Sequence, residues 1–324
     1  VRAGESREEL GKWLKNRAVP WKRRRRLIQV VTDTFQCGGW LHKIGRRATA
    51  ECELCRRSKE NSEGGAQGVV PTESIGHIQS AGCAGQSEAV TAAHNKCIRD
   101  LMGDIQVHRK KKSNLTFLTM EEEHTISTLW EQDGCSEICS KEELWQAAKS
   151  DEMQIQLRGG DDVSGASEQQ YEERFWRRRL DGIALDSVGK KCYLIEFKRT
   201  RDRRHSYEER AMKVARQQYK SLLSGLQAVG QQKGWKVEQL VFVGGTCGSV
   251  NVETFNQNLK LLEVPEGKWS RLRQRMARRL LEEQDKVLRA YFAQKYDKTP
   301  TCVDGGGDAA GPKGLAHLSR DVYA

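Results

Sequence analysis

Two apolar runs, each carrying acids at set places, limit most tightly how this chain can fold. Arg179-Leu180-Asp181-Gly182-Ile183-Ala184 is followed by Tyr193-Leu194-Ile195-Glu196-Phe197-Lys198-Arg199. Between them Asp186-Ser187-Val188-Gly189-Lys190-Lys191 supplies the Asp, Ser and Gly of a tight turn. The whole reads as a β-hairpin. Side chains two apart on a strand share a face, so Glu196 and Lys198 fall on one side while Phe197 turns into the core. Closing the hairpin brings Asp181 back beside them. Two carboxylates and an ammonium group on one sheet face suit a divalent cation working on phosphate.

The spacing of Asp181, fourteen residues, then Glu196-x-Lys198 resembles the PD-(D/E)xK signature of restriction-like nucleases. The fuller string Leu194-Ile195-Glu196-Phe197-Lys198-Arg199-Thr200, with a basic helix behind it, is similar to the endonuclease region of non-LTR retrotransposons of the restriction-like-endonuclease class. This likeness covers the second half of the chain, and the Cys/His region upstream follows the family's order. Leu180 stands where the family usually has proline, a position that shapes backbone rather than chemistry.

The resemblance implies an α/β fold: a restriction-endonuclease-like mixed sheet flanked by helices, preceded by a small zinc knuckle and a basic helical lead-in. Asp181, Glu196 and Lys198 are then the catalytic residues, with Asp181 and Glu196 holding Mg2+ or Mn2+. An extra acid, Glu172 or Glu173, is implied on the helix before the hairpin, although both read equally well as exposed helix charges. The implied activity is nicking of target DNA by phosphodiester hydrolysis, priming reverse transcription. Retrotransposon RNA is a second candidate partner, and a reverse transcriptase domain is implied upstream in the same polyprotein. Two other readings stay open: a non-catalytic, zinc-dependent nucleic-acid-binding remnant, and a host nuclease of the same fold.

Charge agrees with a polyanion partner. Lys and Arg number 55 against 44 acids, a net +11, in a chain 37% apolar and 31% charged. The surplus is uneven. Residues 1–50 hold thirteen bases and four acids, including Lys22-Arg23-Arg24-Arg25-Arg26; residues 121–162 hold three bases and twelve acids; residues 171–220 hold fifteen and eight. The expected organisation is a basic helical lead-in (1–50), a zinc-knuckle region (51–110), an acidic helical connector (111–165), the endonuclease domain (166–265), a basic C-terminal helix (266–297) and a disordered tail (298–324). No run of apolar residues is long enough to span a membrane and no secretion signal is present, so a nuclear or intracellular protein is expected. Val1 in place of Met reads as a fragment or partial gene model.

Ten cysteines without an export signal favour metal ligation and free thiols over disulfides. Cys52-Glu53-Leu54-Cys55 is a CxxC pair, and His77 and Cys83 follow after a Gly/Ser/Glu-rich insert that can loop out. Zinc takes four such ligands as a tetrahedron. The expected set is Cys52, Cys55, His77 and Cys83. His94 is the alternate for the fourth place, since His94 and Cys97 share a face of a helix expected from Glu88 to Met102. Cys135 and Cys139, i and i+4, read as semi-buried thiols on a helix.

Beyond the hairpin, Arg199-Thr200-Arg201-Asp202-Arg203-Arg204 is a cation-dense loop, and an amphipathic helix follows from Ser206 to Val229. Met212, Ala215, Tyr219, Leu222 and Leu226 form its buried stripe. Lys213, Arg216 and Lys220 lie opposite, where with Arg199, Arg203 and Arg204 they could reach DNA phosphates. Tyr219 reads first as a core aromatic. A strand over Val237–Val243 completes the sheet, and residues 253–263 and 268–295 read as helices.

Overall fold

In the computed structural model of the chain, the described residues are 5–6, 8–32, 35–60, 69–80, 82–119, 125–132, 135–158, 167–202 and 206–296. Arg203, Arg204 and the tail expected at 298–324 lie outside them. In chain order the elements are β1 (Glu5–Ser6), α1 (Glu8–Lys15), α2 (Trp21–Val31), α3 (Gly38–Lys43), α4 (Glu53–Glu60), α5 (Ile75–Ile78) and α6 (Ser87–His108). There follow β2 (Thr116–Thr119), α7 (Ile126–Gln132), a 3-10 turn (Cys135–Glu137), α8 (Lys141–Arg158), α9 (Glu168–Trp176), β3 (Gly182–Asp186) and β4 (Lys191–Thr200). The last are α10 (Tyr207–Gln218), α11 (Lys220–Gln232), β5 (Lys236–Gly245), β6 (Val250–Asn251), α12 (Val252–Leu261) and α13 (Glu266–Tyr296). They gather into two compact units, one of Asn95–Ala277 with β1, the other of Glu8–His94 with the chain from Arg278. Among the described residues no helix is long and apolar enough to cross a membrane.

The first unit is a mixed sheet flanked by helices, with strand order β1-β6-β5-β4-β3-β2. β4 and β5 are parallel, joined by α10 and α11, and every other pairing is antiparallel. The hairpin forms as expected, pairing Gly182 with Ile195 and Asp186 with Lys191. Its turn differs in detail: Lys190, at φ 49°, takes the left-handed conformation. Gly189 serves closeness instead, because its amide donates to Asp186 Oδ1 at 2.7 Å and a Cβ there would meet Asp186 Oδ2 at 2.3 Å.

The core on one side of the sheet joins Leu144, Trp145 and Ala148 of α8 to Leu222 and Leu226 of α11 and to Ile183, Cys192 and Leu194 of the hairpin. Gly225 permits the helix approach, since a Cβ there would stand 3.0 Å from Ala148 Cβ. Residues 111–165, read from composition as a connector, thus contribute β2 to the sheet and α8 to this core. The acids Glu142 and Glu143 are exposed on α8 while Leu144, Trp145 and Ala148 turn inward, so averaging charge along the stretch conceals its two faces.

Two expectations about helices are corrected. Cys135 and Cys139 are both buried, but Cys135 lies in a 3-10 turn and Cys139 in a loop. Ser140 starts a new helix there: its hydroxyl accepts from Glu143 N–H (3.1 Å), and Glu143 Oε2 accepts from Ser140 N–H (2.8 Å), a reciprocal capping box. The helix expected over Ser206–Val229 is divided at Tyr219 (φ −114°, ψ 19°) into α10 and α11. The apolar spacing runs unbroken through that division, which is why periodicity did not reveal it.

In the second unit the basic run of α2 is partly turned inward. Arg23 Nε lies 2.6 Å from Asp285 Oδ2, and Arg26 Nη2 lies 2.9 Å from Oδ1 of the same fully buried carboxylate. Arg24 donates to the Leu14 carbonyl, while Lys22 and Arg25 are exposed. Trp13, Leu27 and Leu281 pack together beside this ion group.

Candidate functional site

Two clusters of chemically capable side chains form, one in each unit. In the first unit, Asp181 immediately precedes β3, and the Gly182–Ile195 pairing sets it alongside Glu196. The Phe197 amide donates to Asp181 Oδ2 at 2.6 Å. The Glu196 side chain is 4% exposed, with Lys198 Nζ 2.5 Å from its Oε1. Lys198 Nζ also donates to Gln218 Oε1 (2.7 Å), and Gln218 Nε2 donates to the Tyr219 hydroxyl (3.0 Å). Tyr219 in turn donates to the Arg179 carbonyl, two residues before Asp181. Burial first, then the charges of Glu196 and Asp181, push the Tyr219 hydroxyl up, so it keeps its proton and acts as a donor. Phe197, on the opposite face of β4 from Glu196, is fully buried.

Asp181, Glu196 and Lys198 are therefore brought together on one sheet face. Glu172 and Glu173 have local partners. Glu172 accepts from Trp176 Nε1 (3.2 Å) and Glu173 pairs with Arg177 (3.4 Å), respectively the last residue of α9 and its C-cap. Each partner stands four residues further on, the spacing at which helix side chains meet. Lys213 and Arg216 are exposed on α10, and Arg199 is half-buried on β4. Lys220, exposed on α11, lies 3.3 Å from Asp151. Gln218 is noticed in the sequence only as the polar neighbour of Tyr219 and is given no role of its own. Its only signal was a polar side chain next to a tyrosine in an apolar stripe.

In the second unit Cys52, Cys55, His77 and Cys83 place one ligand atom each within 4.8 Å of all the others, and this cluster could hold a metal ion. It is the one such group of three or more Cys, His, Asp or Glu ligands among the described residues. Residues around 51 and 72 form an antiparallel bridge, flanked by Cys52 N–H to Pro71 O (2.8 Å) and Glu73 N–H to Ala50 O (2.7 Å). Cys52 sits at the entrance of α4 and Cys55 in its first turn. Ser74 caps α5 by accepting from His77 N–H (3.1 Å), which presents the imidazole from that helix.

The distances fit a tetrahedral ion. Two sulfurs at about 2.3 Å from one such ion stand about 3.8 Å apart; Cys52 and Cys83 Sγ are 3.8 Å apart, and Cys55 Sγ is 3.2 Å from His77 Nε2. The Ala84 amide points at Cys55 Sγ (3.5 Å), a donor suited to thiolate. The hydrogen bond with Cys83 draws the Cys52 thiol down to about 5, and the same bond pushes Cys83 up. His94 and Cys97 lie on α6, outside this cluster.

Beside the cluster, Glu73 is fully buried and held by Lys295 Nζ (2.6 Å), the Gly38 amide (2.7 Å) and Arg47 Nη1 (2.8 Å). A Cβ at Gly38 would collide with the Arg47 guanidinium, so glycine is what lets this clasp close. No family model, curated protein or solved structure matches this chain.

Proposed function

We propose that the first unit is a metal-dependent DNA endonuclease of the PD-(D/E)xK type, with a restriction-like fold, that nicks target DNA for retrotransposon insertion. The observation that carries this reading is the convergence of Asp181, Glu196 and Lys198 on one sheet face, with Asp181 anchored by the Phe197 amide. Neighbouring carboxylates on paired strands offer the hard oxygens that Mg2+ or Mn2+ prefers. A bound ion of that kind would supply Lewis acidity toward the scissile phosphate. Lys198, held between Glu196 and Gln218, orients the attacking water and counters the negative charge that builds on the phosphate.

Arg199, Arg203, Arg204, Lys213, Arg216 and Lys220 supply phosphate contacts, whose affinity falls steeply with salt. In the second unit we assign the Cys52, Cys55, His77 and Cys83 cluster to structural zinc, since three thiolates and one imidazole with no place left open suit a closed site. The partners in this reading are target DNA and retrotransposon RNA, met in the nucleus, with the reverse transcriptase domain upstream in the polyprotein.

The test is nicking of supercoiled plasmid with Mg2+ by the wild type, Asp181→Ala and Lys198→Ala. A loss of about a hundredfold or more in each variant is expected. Equal nicking by all three removes the assignment.

A further inference from the structure

The stretch that composition marked as a connector contributes a buried acid with no role in the reading so far. Glu152 on α8 is fully buried. Its carboxylate accepts from Arg178 Nη2 and from the Ser221 hydroxyl. Arg178 Nη1 donates to the Gln218 carbonyl and to Ser221 Oγ, each at 3.2 Å. The next residue, Arg179, takes the Tyr219 hydroxyl on its carbonyl. Two consecutive residues of the segment leading to Asp181 are thus tied to the division between α10 and α11. That division carries Gln218, whose amide oxygen holds Lys198.

Desolvating an ion pair costs more than an apolar contact of the same size would, so such a pair is a poor device for stability alone. What it supplies is direction. Arg178 presents a planar fork whose donors meet two acceptors on one side and the carboxylate on the other, and this fixes the lateral position of residues 218–221 against residues 178–181. We infer that Glu152 is a positioning residue: acting through Arg178 and Ser221, it sets the α10–α11 junction so that Gln218 holds Lys198 opposite Asp181. The inference rests on the nuclease reading, and Glu152 itself touches neither Asp181 nor Lys198 in the network described.

The experiment compares the full chain with Glu152→Ala, Glu152→Gln and, as a control elsewhere on α8, Glu143→Gln, whose carboxylate pairs with exposed Lys233. Plasmid nicking with Mg2+ is measured as kcat and KM, and amide hydrogen exchange is followed by mass spectrometry. Glu152→Ala should lower kcat about tenfold, as expected of a slightly misplaced group, and leave KM for the plasmid within about twofold. Glu152→Gln, which keeps an acceptor for Arg178 and Ser221, should recover most of that loss, and Glu143→Gln should match the wild type. Exchange in Glu152→Ala should quicken at residues 178–181 and 218–221 while the β5 amides stay protected.

An inactive wild type overturns the nuclease reading, and this inference with it. An active wild type with Glu152→Ala at full rate overturns the inference alone. So does a loss of rate accompanied by faster exchange throughout the sheet and no rescue by Gln, which marks a merely structural acid.

Discussion

The Phe197 amide donates to Asp181 Oδ2 across 2.6 Å, so the strand that carries the second acid also fixes the first. The carboxylate is oriented by backbone, whatever else comes to bind it. Chemistry and stability therefore separate cleanly at this position. Asp181→Asn keeps an acceptor for the amide and should unfold in urea within about 0.5 kcal/mol of the wild type, while Asp181→Ala should lose about 1 kcal/mol. Both should abolish nicking. Residual nicking by Asp181→Asn would show that the charge at this position is dispensable.

Tyr219 joins core and site in one side chain. Its ring is buried and its hydroxyl links Gln218 to the Arg179 carbonyl. Tyr219→Phe preserves the packing and leaves that carbonyl without its donor. A loss of about 1–2 kcal/mol is expected, read as a lower urea midpoint at unchanged slope. An unchanged midpoint would mean that water replaces the hydroxyl at no cost.

Much of the first unit could be read from residues alone, and the reasons are local. Alternation along β4 set Glu196 and Lys198 on one face of the hairpin and Phe197 on the other. The CxxC pair announced the metal cluster because sulfur ligands at that spacing have few other uses. What escaped depends on partners far along the chain. Nothing near Arg23 points to Asp285, 262 residues away. The division at Tyr219 is a tertiary demand laid over a continuous helical pattern. Glu152 was hidden because the other described acids of its stretch, Glu131, Glu137, Glu142, Glu143 and Asp151, are exposed or half-buried, and composition weighs them all alike.

The metal cluster predicts a chelation phenotype. A small knuckle buries little apolar surface, and in comparable zinc sites the metal contributes on the order of 10 kcal/mol to folding. Native mass spectrometry should find about one zinc per chain, the count a single four-ligand cluster requires. Chelator should lower the melting temperature of the wild type, and Cys55→Ser should melt low with or without chelator. His94→Ala should behave like the wild type. Zinc retained by Cys55→Ser and lost by His94→Ala would reassign the ligands.

Glu73 predicts an acid limit for the second unit. Burial alone would raise its carboxyl, but Lys295, Arg47 and the Gly38 amide together hold it below the ordinary 4.5. A carboxylate depressed on folding adds stability that is present above the unfolded value and lost as pH falls through the folded one. Stability of metal-free protein should therefore decline from about pH 4.5 downward. Glu73→Gln should remove that dependence and cost about 3 kcal/mol at neutral pH, because Arg47 and Lys295 lose their counter-charge. A Gln variant with the wild-type acid profile would assign the decline to other carboxylates.

The inward-turned arginines of α2 change how any shortened version of this protein should be judged. Removing the first thirty residues would withdraw Arg23 and Arg26 from Asp285 and strip Trp13 and Leu27 from Leu281. Asp285 would keep Arg289, four residues along its own helix, but lose both arginines that α2 supplies to its buried carboxylate. A truncated protein that fails to retain nucleic acid would thus be reporting a collapsed scaffold, and charge-reversal at the outward-facing Lys22 and Arg25 is the cleaner way to ask what that helix grips.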